Sequence, residues 1–120
     1  MEVVKFLFQL QNNIKLYHWQ TTSYSRHIAS DNLHTRLLLL TDQFIESYSG
    51  KYGKISRGNF QLDISSYNDT NIEIILEKAS KQLQNINQLC NITSKDTDLL
   101  NIRDEMLQEI NKTLYLFQLK

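Results

Sequence analysis

The stretch HIASDNLHTRLLLLTDQFIE, residues 27–46, carries two superimposed patterns that together predict how this 120-residue chain folds. The first pattern is an apolar stripe at helical spacing, which predicts one long helix with a buried face. The stripe consists of Leu33, Leu37, Leu40, Phe44 and Tyr48. We expect this helix to run from about Ser25 to Tyr48, and we expect Gly50 and Gly53 to end it.

The second pattern is a pair of pairs, His27 with Asp31 and Asp42 with Glu46, each at four-residue spacing. Residues four apart lie on one helix face, one turn from each other. Imidazole combined with carboxylate suits iron, zinc or manganese. Asp31 and Asp42 differ by only ~20° around the helix axis but lie roughly 16 Å apart along it. The two pairs therefore face the same way but cannot hold one ion within a single chain.

A second copy of the helix would bring the two pairs together. If it crosses antiparallel about a two-fold axis near Arg36 and Leu37, each histidine pair meets the acidic pair of the other copy, as in an isologous dimer. The face that carries these side chains is also too apolar for a solvated surface. Its apolar members are Ile28, Leu38, Leu39 and Ile45. The alternative is that the acids are ordinary surface charges and the histidines incidental.

The remainder of the chain predicts an all-α four-helix bundle. A helix is expected from about Val3 to Trp19, and two more carry apolar stripes from Ile72 to Cys90 and from Leu99 to Phe117. The absence of proline and the presence of only three glycines agree with this. Residues 54–69 form a long irregular crossover between the second and third helices, which is the ferritin-like connectivity.

Helix ends are predicted from capping residues. Thr70 with Glu73 fits a capping box that would begin the third helix, and Thr93 or Ser94 would cap the fourth. His18 lies at the end of the first helix. A short turn after it would let this histidine fold back beside the second helix.

Composition excludes several classes of function. Thirteen basic and thirteen acidic residues leave no net charge, which argues against a nucleic-acid binder driven by electrostatics. No apolar run approaches the roughly 18 residues that a membrane span requires. Cys90 is the single cysteine, so no intrachain disulfide can form and a reducing, cytoplasmic location is expected.

Two other constellations are weaker. The Asp31-x-x-His34 spacing is that of a di-iron helix motif, but the fourth helix carries no matching copy. Glu105 and Glu109 form another acidic pair, and the basic residues beside them indicate a solvated face.

The ligand pattern resembles that of a known family. Tyr17-His18-Trp19, followed by His27-x-x-x-Asp31 and Asp42-x-x-x-Glu46, is similar to the motif of the Dps group of mini-ferritins, the DNA-binding proteins from starved cells. All five ligand types of that motif are matched. The chain also resembles small Dps-like proteins encoded by large DNA viruses and phages, which implies the host cytoplasm or the virion as its location.

The resemblance implies one ferritin-like domain over residues 1–120 that binds iron at an intersubunit ferroxidase centre. Fe(II) would be oxidised by hydrogen peroxide or dioxygen, which implies iron storage and protection against oxidative stress, with zinc as a possible substitute metal. Trp19 is the candidate electron donor, and the alternative for it is a buried packing indole. The metal ligands implied are His18, His27 and Asp31 of one chain with Asp42 and Glu46 of its two-fold mate.

Three departures from the family pattern matter. The spacing from His18 to His27 is three residues shorter, so the turn between the first two helices must be tighter. The chain lacks a lysine-rich tail, so we expect no binding to duplex DNA at physiological salt. Residues 54–69 are not expected to form the small helix that family members place at the dimer interface. We therefore expect a homodimer. The resemblance implies a twelve-subunit cage as the larger assembly. The runner-up function is a non-catalytic helical dimer that serves as a structural or host-interaction module, its site empty or zinc-bound.

Overall fold

Four α-helices make up the fold, and the chain forms no strands. The computed structural model describes all 120 residues. Its helices are α1 (Glu2–Gln20), α2 (Tyr24–Tyr52), α3 (Asn71–Gln84) and α4 (Thr97–Leu116), with a 3₁₀ turn at Ile86–Gln88 after α3. The all-helical class predicted from the scarcity of helix breakers is confirmed.

Contacts between helix ends fix the direction of α4. Lys51 Nζ lies 2.6 Å from Asp98 Oδ1, which joins the end of α2 to the start of α4. At the other end of the bundle, Arg26 Nη2 donates to the carbonyl of Phe117 at 3.2 Å, which joins the start of α2 to the end of α4. The two helices are therefore antiparallel, as are α1 and α2, which are connected by only three residues.

The crossover between α2 and α3 runs the length of the bundle beside α1. Gln9 Oε1 accepts from the Asp63 backbone N–H at 2.9 Å, and Asn13 Oδ1 accepts from that of Ser65 at 3.0 Å. Thr21 Oγ1 then donates to Asp69, so α3 begins at the α1–α2 turn and runs parallel to α2. The helix directions are up, down, down, up. The crossover contains no helix, as predicted.

The core is one cluster of 23 buried apolar residues with α2 at its centre. All five residues of the predicted α2 stripe are buried. The 29 residues of α2 give it a length of roughly 43 Å at ~1.5 Å per residue, so it spans the whole bundle. No helix is both long and apolar enough to cross a membrane.

One predicted boundary, at the end of α2, and one predicted cap, that of α3, are corrected, whereas the predicted start of α3 at Thr70 is confirmed. Gly50 lies inside α2, which continues to Tyr52 and ends at Gly53, whose positive φ of 103° favours glycine. The capping box predicted at Thr70 does not form. Asn68 caps α3 instead, because its Oδ1 accepts from the backbone N–H of both Thr70 and Asn71 at 3.0 and 2.8 Å.

The cap predicted for α4 at Thr93 or Ser94 is also wrong. The helix begins at Thr97, and the residue before it, Asp96, is buried. Its carboxylate accepts hydrogen bonds from Tyr52, Lys51 and the Thr93 backbone, which hold the pKa of Asp96 at about 2. An ionised acid buried against α2 therefore sets where α4 begins.

Candidate metal centre

A stacked pair of histidines lies where α1 meets α2. His18 is in the last turn of α1 and His27 is in the first turn of α2, with their ring centroids 3.9 Å apart and their planes within 18°. Ser23 makes the turn tight, because its side chain caps α2 by accepting from the Arg26 backbone N–H at 3.3 Å. The short turn that lets His18 fold back beside α2 is confirmed.

The two imidazoles are held by reciprocal hydrogen bonds. Nδ1 of His18 lies 2.7 Å from the carbonyl oxygen of His27, and Nδ1 of His27 lies 2.8 Å from that of His18. A carbonyl can only accept, so each Nδ1 carries the proton and donates. In the neutral ring, Nε2 is then left with its lone pair. A backbone carbonyl on the far nitrogen is the usual support of a metal-binding histidine.

Asp31 lies beside this pair, one turn after His27. Its Oδ1 is 3.8 Å from Nε2 of His18 and 3.3 Å from Nζ of Lys15. The hydrogen bond from Lys15 lowers the pKa of Asp31, so this carboxylate is ionised at neutral pH. His18 is buried and Asp31 is half-exposed, so the cluster opens to solvent through the carboxylate. The three predicted ligands of one chain are thus neighbours.

The other two predicted ligands lie elsewhere on the same helix. Asp42 and Glu46 are exposed, and Asp42 is three turns beyond Asp31, or roughly 16 Å along the axis. Within one chain, no three histidine, cysteine or acidic side chains converge closely enough to hold an ion. In the single chain, His18, His27 and Asp31 are therefore neighbours that do not converge on one point, and the predicted ligands Asp42 and Glu46 lie apart from them.

Between these two groups of predicted ligands, α2 presents an apolar surface, which we call the α2 apolar face. It consists of Ile28, Leu38, Leu39 and Ile45. Ile28 is 45% exposed, Leu38 and Leu39 are each 52% exposed, and Ile45 is half-buried. Exposed apolar side chains that share one helix face are typical of interaction surfaces. The dimer through α2 stays a prediction, and this face is where it would form.

Trp19 follows His18 and is 68% exposed, with Lys15 Nζ 5.7 Å from the ring centre. The alternative of a buried packing indole is wrong for the single chain. Its role as an electron donor stays a prediction.

The residues of the two weaker constellations, His34, Glu105 and Glu109, differ in their exposure. His34 is half-buried, and burial lowers its pKa, so this imidazole is neutral near pH 7. Glu105 is exposed, as predicted, whereas the Glu109 side chain is only 16% exposed because Arg36 and Lys112 lie against it at 3.4 and 3.3 Å. Neither acid faces the histidine pair.

Two residues of the site were not predicted. Lys15 binds Asp31, and the buried Ser30 hydroxyl donates to the His27 carbonyl at 3.2 Å. Lys15 precedes His18 by three residues and Ser30 follows His27 by three, so helical spacing alone would have placed both beside the ligands.

We expect Lys15→Met to bind divalent cations roughly five- to tenfold more tightly than the native chain. The Lys15 ammonium competes with a metal for Asp31, and two like charges about 4 Å apart repel by ~1 kcal/mol even in water. Titration with Co(II), followed by its absorbance, measures this. Lys5→Met, elsewhere on α1, is the control. Weaker binding in Lys15→Met would mean that Lys15 positions Asp31 rather than competing with the metal.

The comparisons with known proteins give one match. The profile described as "Family of unknown function (DUF5856)" matches residues 18–117, a span that begins at the first histidine of the site. No curated protein and no solved structure matches the chain. Since the match covers most of its length, the chain belongs to the DUF5856 family.

Proposed function

We propose that this protein binds Fe(II) at a site shared by two copies of the chain and oxidises it to Fe(III). The observation that carries the proposal is the reciprocal pair of hydrogen bonds between His18 and His27. It fixes both imidazoles in the tautomer that presents Nε2, with the ionised Asp31 beside them. Two imidazoles and a carboxylate are a donor set suited to Fe(II).

A second copy supplies the other half of the site. In the two-fold pairing, Asp42 and Glu46 of the second copy lie opposite Asp31 and His27 of the first. Additional carboxylates favour Fe(III) over Fe(II), because the ion of higher charge gains more from each negative ligand. The proposed ligand set is His18, His27 and Asp31 of one copy with Asp42 and Glu46 of the other.

The fold supports a ferritin-like assignment. One long crossover with up, down, down, up helix directions is the connectivity of ferritin-like bundles, whose metal sites use inward or interface carboxylates and histidines. In the reaction, two Fe(II) ions each give up one electron. One hydrogen peroxide takes both electrons with two protons and leaves as two waters. Iron and peroxide are removed together, which protects against oxidative damage, and a larger cage would store the product.

The test is oxidation of Fe(II) by hydrogen peroxide, followed by the absorbance of Fe(III), after anaerobic loading. The native chain is expected to oxidise iron faster than buffer. His18→Ala is expected to lose roughly 100-fold, since loss of even an outer partner of a metal ligand costs about 10–100-fold. His34→Ala is the matched control and should keep the native rate.

Two results would contradict the proposal. A native rate equal to that of buffer removes the catalytic function. If Zn(II) then binds through the same histidines, the result supports the alternative function, a non-catalytic helical dimer with a zinc-bound site. Loss of oxidation in His34→Ala but not in His18→Ala would place the site around Asp31 and His34 instead.

A further inference from the structure

An open apolar groove lies between α1 and α2, next to the second half of the candidate site. We call it the Ile45 groove, and its volume is about 230 Å³. Its floor includes the buried hydrogen bond from Gln11 Nε2 to Thr41 Oγ1 at 2.7 Å. Its apolar walls and its acidic rim are formed by Val4, Phe8, Leu38, Ile45, Ile55 and Asp42.

Trp19 and Tyr24 are the two large aromatic side chains that project from this part of the molecule, and Trp19 is the one on α1. It is the only tryptophan in the chain and is 68% exposed, although indoles are mostly buried with their N–H group bonded. The ammonium of Lys15 lies 5.7 Å from its ring centre, and the same ammonium binds Asp31. The indole is therefore positioned on the side of α1 that adjoins the Asp31 half of the site.

The two-fold pairing places this indole beside the groove of the other copy. An antiparallel two-fold axis must lie within the interface plane, so the α1 helices of both copies fall on the same side of the paired α2 helices. The α1 helices are then antiparallel to each other. The Trp19 end of one lies alongside the Phe8 end of the other. In the same register, position 31 of one copy lies opposite position 42 of the other, at the rim of the groove.

We propose that Trp19 of each copy inserts into the Ile45 groove of the other copy, an inference that rests on the two-fold pairing of the proposed function. The groove measures about 230 Å³, which is larger than the cavity of roughly 150 Å³ that holds benzene. The Asp42 side chain at the rim offers oxygen acceptors for the indole N–H. The occupant is thus the protein's own second copy.

The insertion links assembly to the metal site. Asp42 belongs both to the groove and to the proposed ligand set. An indole seated there covers Asp42 from solvent and places Lys15 near the acidic pair of the other copy. The indole of each copy then shields from solvent the site to which the same copy contributes His18, His27 and Asp31.

Because Trp19 is the only tryptophan, its emission reports this contact directly. A dilution series of the metal-free protein, with the dimer fraction measured by sedimentation, should show emission at shorter wavelength and weaker quenching by acrylamide in the dimer. Trp19→Ala should weaken dimerisation roughly thirtyfold, the loss expected for a central aromatic anchor. Trp19→Phe should restore most of that loss.

Leu38→Asp tests the groove itself. Leu38 is 52% exposed in the single chain, so the variant should fold, stay monomeric and show solvent-like emission at all concentrations. Ile74→Asp, on α3 and 58% exposed, is the control and should keep native dimerisation and emission.

Dimers with solvent-like Trp19 emission, or a chain that stays monomeric at all concentrations, would overturn the inference. The iron assay is separate. Dimers that oxidise iron while Trp19 remains exposed leave the proposed function standing. Dimers that bury Trp19 but do not oxidise iron leave only the inference standing.

Discussion

Mixed dimers of Asp31→Ala and Asp42→Ala are expected to recover the iron oxidation that each variant loses as a homodimer. Each homodimer lacks one carboxylate in both of its sites, and the loss should be roughly 100-fold. In the mixed dimer, one of the two sites receives Asp31 from the Asp42→Ala chain and Asp42 from the Asp31→Ala chain. That site is complete, so about half of the native rate per dimer should return. Co-expression with two affinity tags, followed by peroxide-driven oxidation of Fe(II), measures it.

The matched control is Asp63→Ala, which removes an exposed acid from the crossover and should leave the rate unchanged in either kind of dimer. Absence of recovery in verified mixed dimers would mean that the site lies within one chain. Asp31 with His34 would then be the remaining helix motif.

The second large effect is expected for Arg26→Met, which should lower the free energy of unfolding by ~3 kcal/mol. The Arg26 side chain is only 15% exposed, and its guanidinium donates to the backbone carbonyls of Asp69 and Phe117 at 2.7 and 3.2 Å. It also lies 4.6 Å from the centre of the Phe117 ring. Methionine keeps the apolar packing but leaves both carbonyls without their donor.

Urea unfolding measures this loss, with Arg57→Met in the exposed crossover as the control that should change stability by no more than ~0.5 kcal/mol. A loss in Arg26→Met as small as that of the control would mean that water replaces the guanidinium at both carbonyls. The start of α2, the start of α3 and the end of α4 would then be held by packing and by the remaining hydrogen bonds, such as that from Thr21 to Asp69.

The parts of the fold that could be predicted are those that depend on one helix at a time. The α2 stripe and the two ligand pairs follow from helical spacing, which is a property of adjacent turns. The α3 cap failed because Asn68, two residues before Thr70, makes the local bonds instead, and the α4 cap failed because it depends on partners distant in sequence. Asp96 begins α4 in place of Thr93 because Lys51 and Tyr52 lie against it.

For the candidate site, spacing predicted that Asp42 would lie too far from Asp31 to join it within one chain. The short turn predicted that His18 would fold back beside α2, and the family resemblance implied its place with His27 and Asp31. Spacing could not predict the reciprocal hydrogen bonds, because these depend on the exact path of the three-residue turn. Nor could it predict the exposure of Trp19. Whether an aromatic residue at a helix end is covered depends on tertiary neighbours rather than on its own sequence position.

The reciprocal histidine bonds would couple the proposed metal site to the α1–α2 turn. A cation on Nε2 withdraws electron density from the ring, which makes the Nδ1–H group a stronger donor to the carbonyl of the opposite helix. Because each imidazole is hydrogen-bonded to the other helix, an ion held by both at the proposed site would strengthen two hydrogen bonds across the same turn. Metal binding is thereby coupled to local order, and amide exchange between His18 and His27 should slow more on metal addition than exchange at the Lys51 end of the bundle.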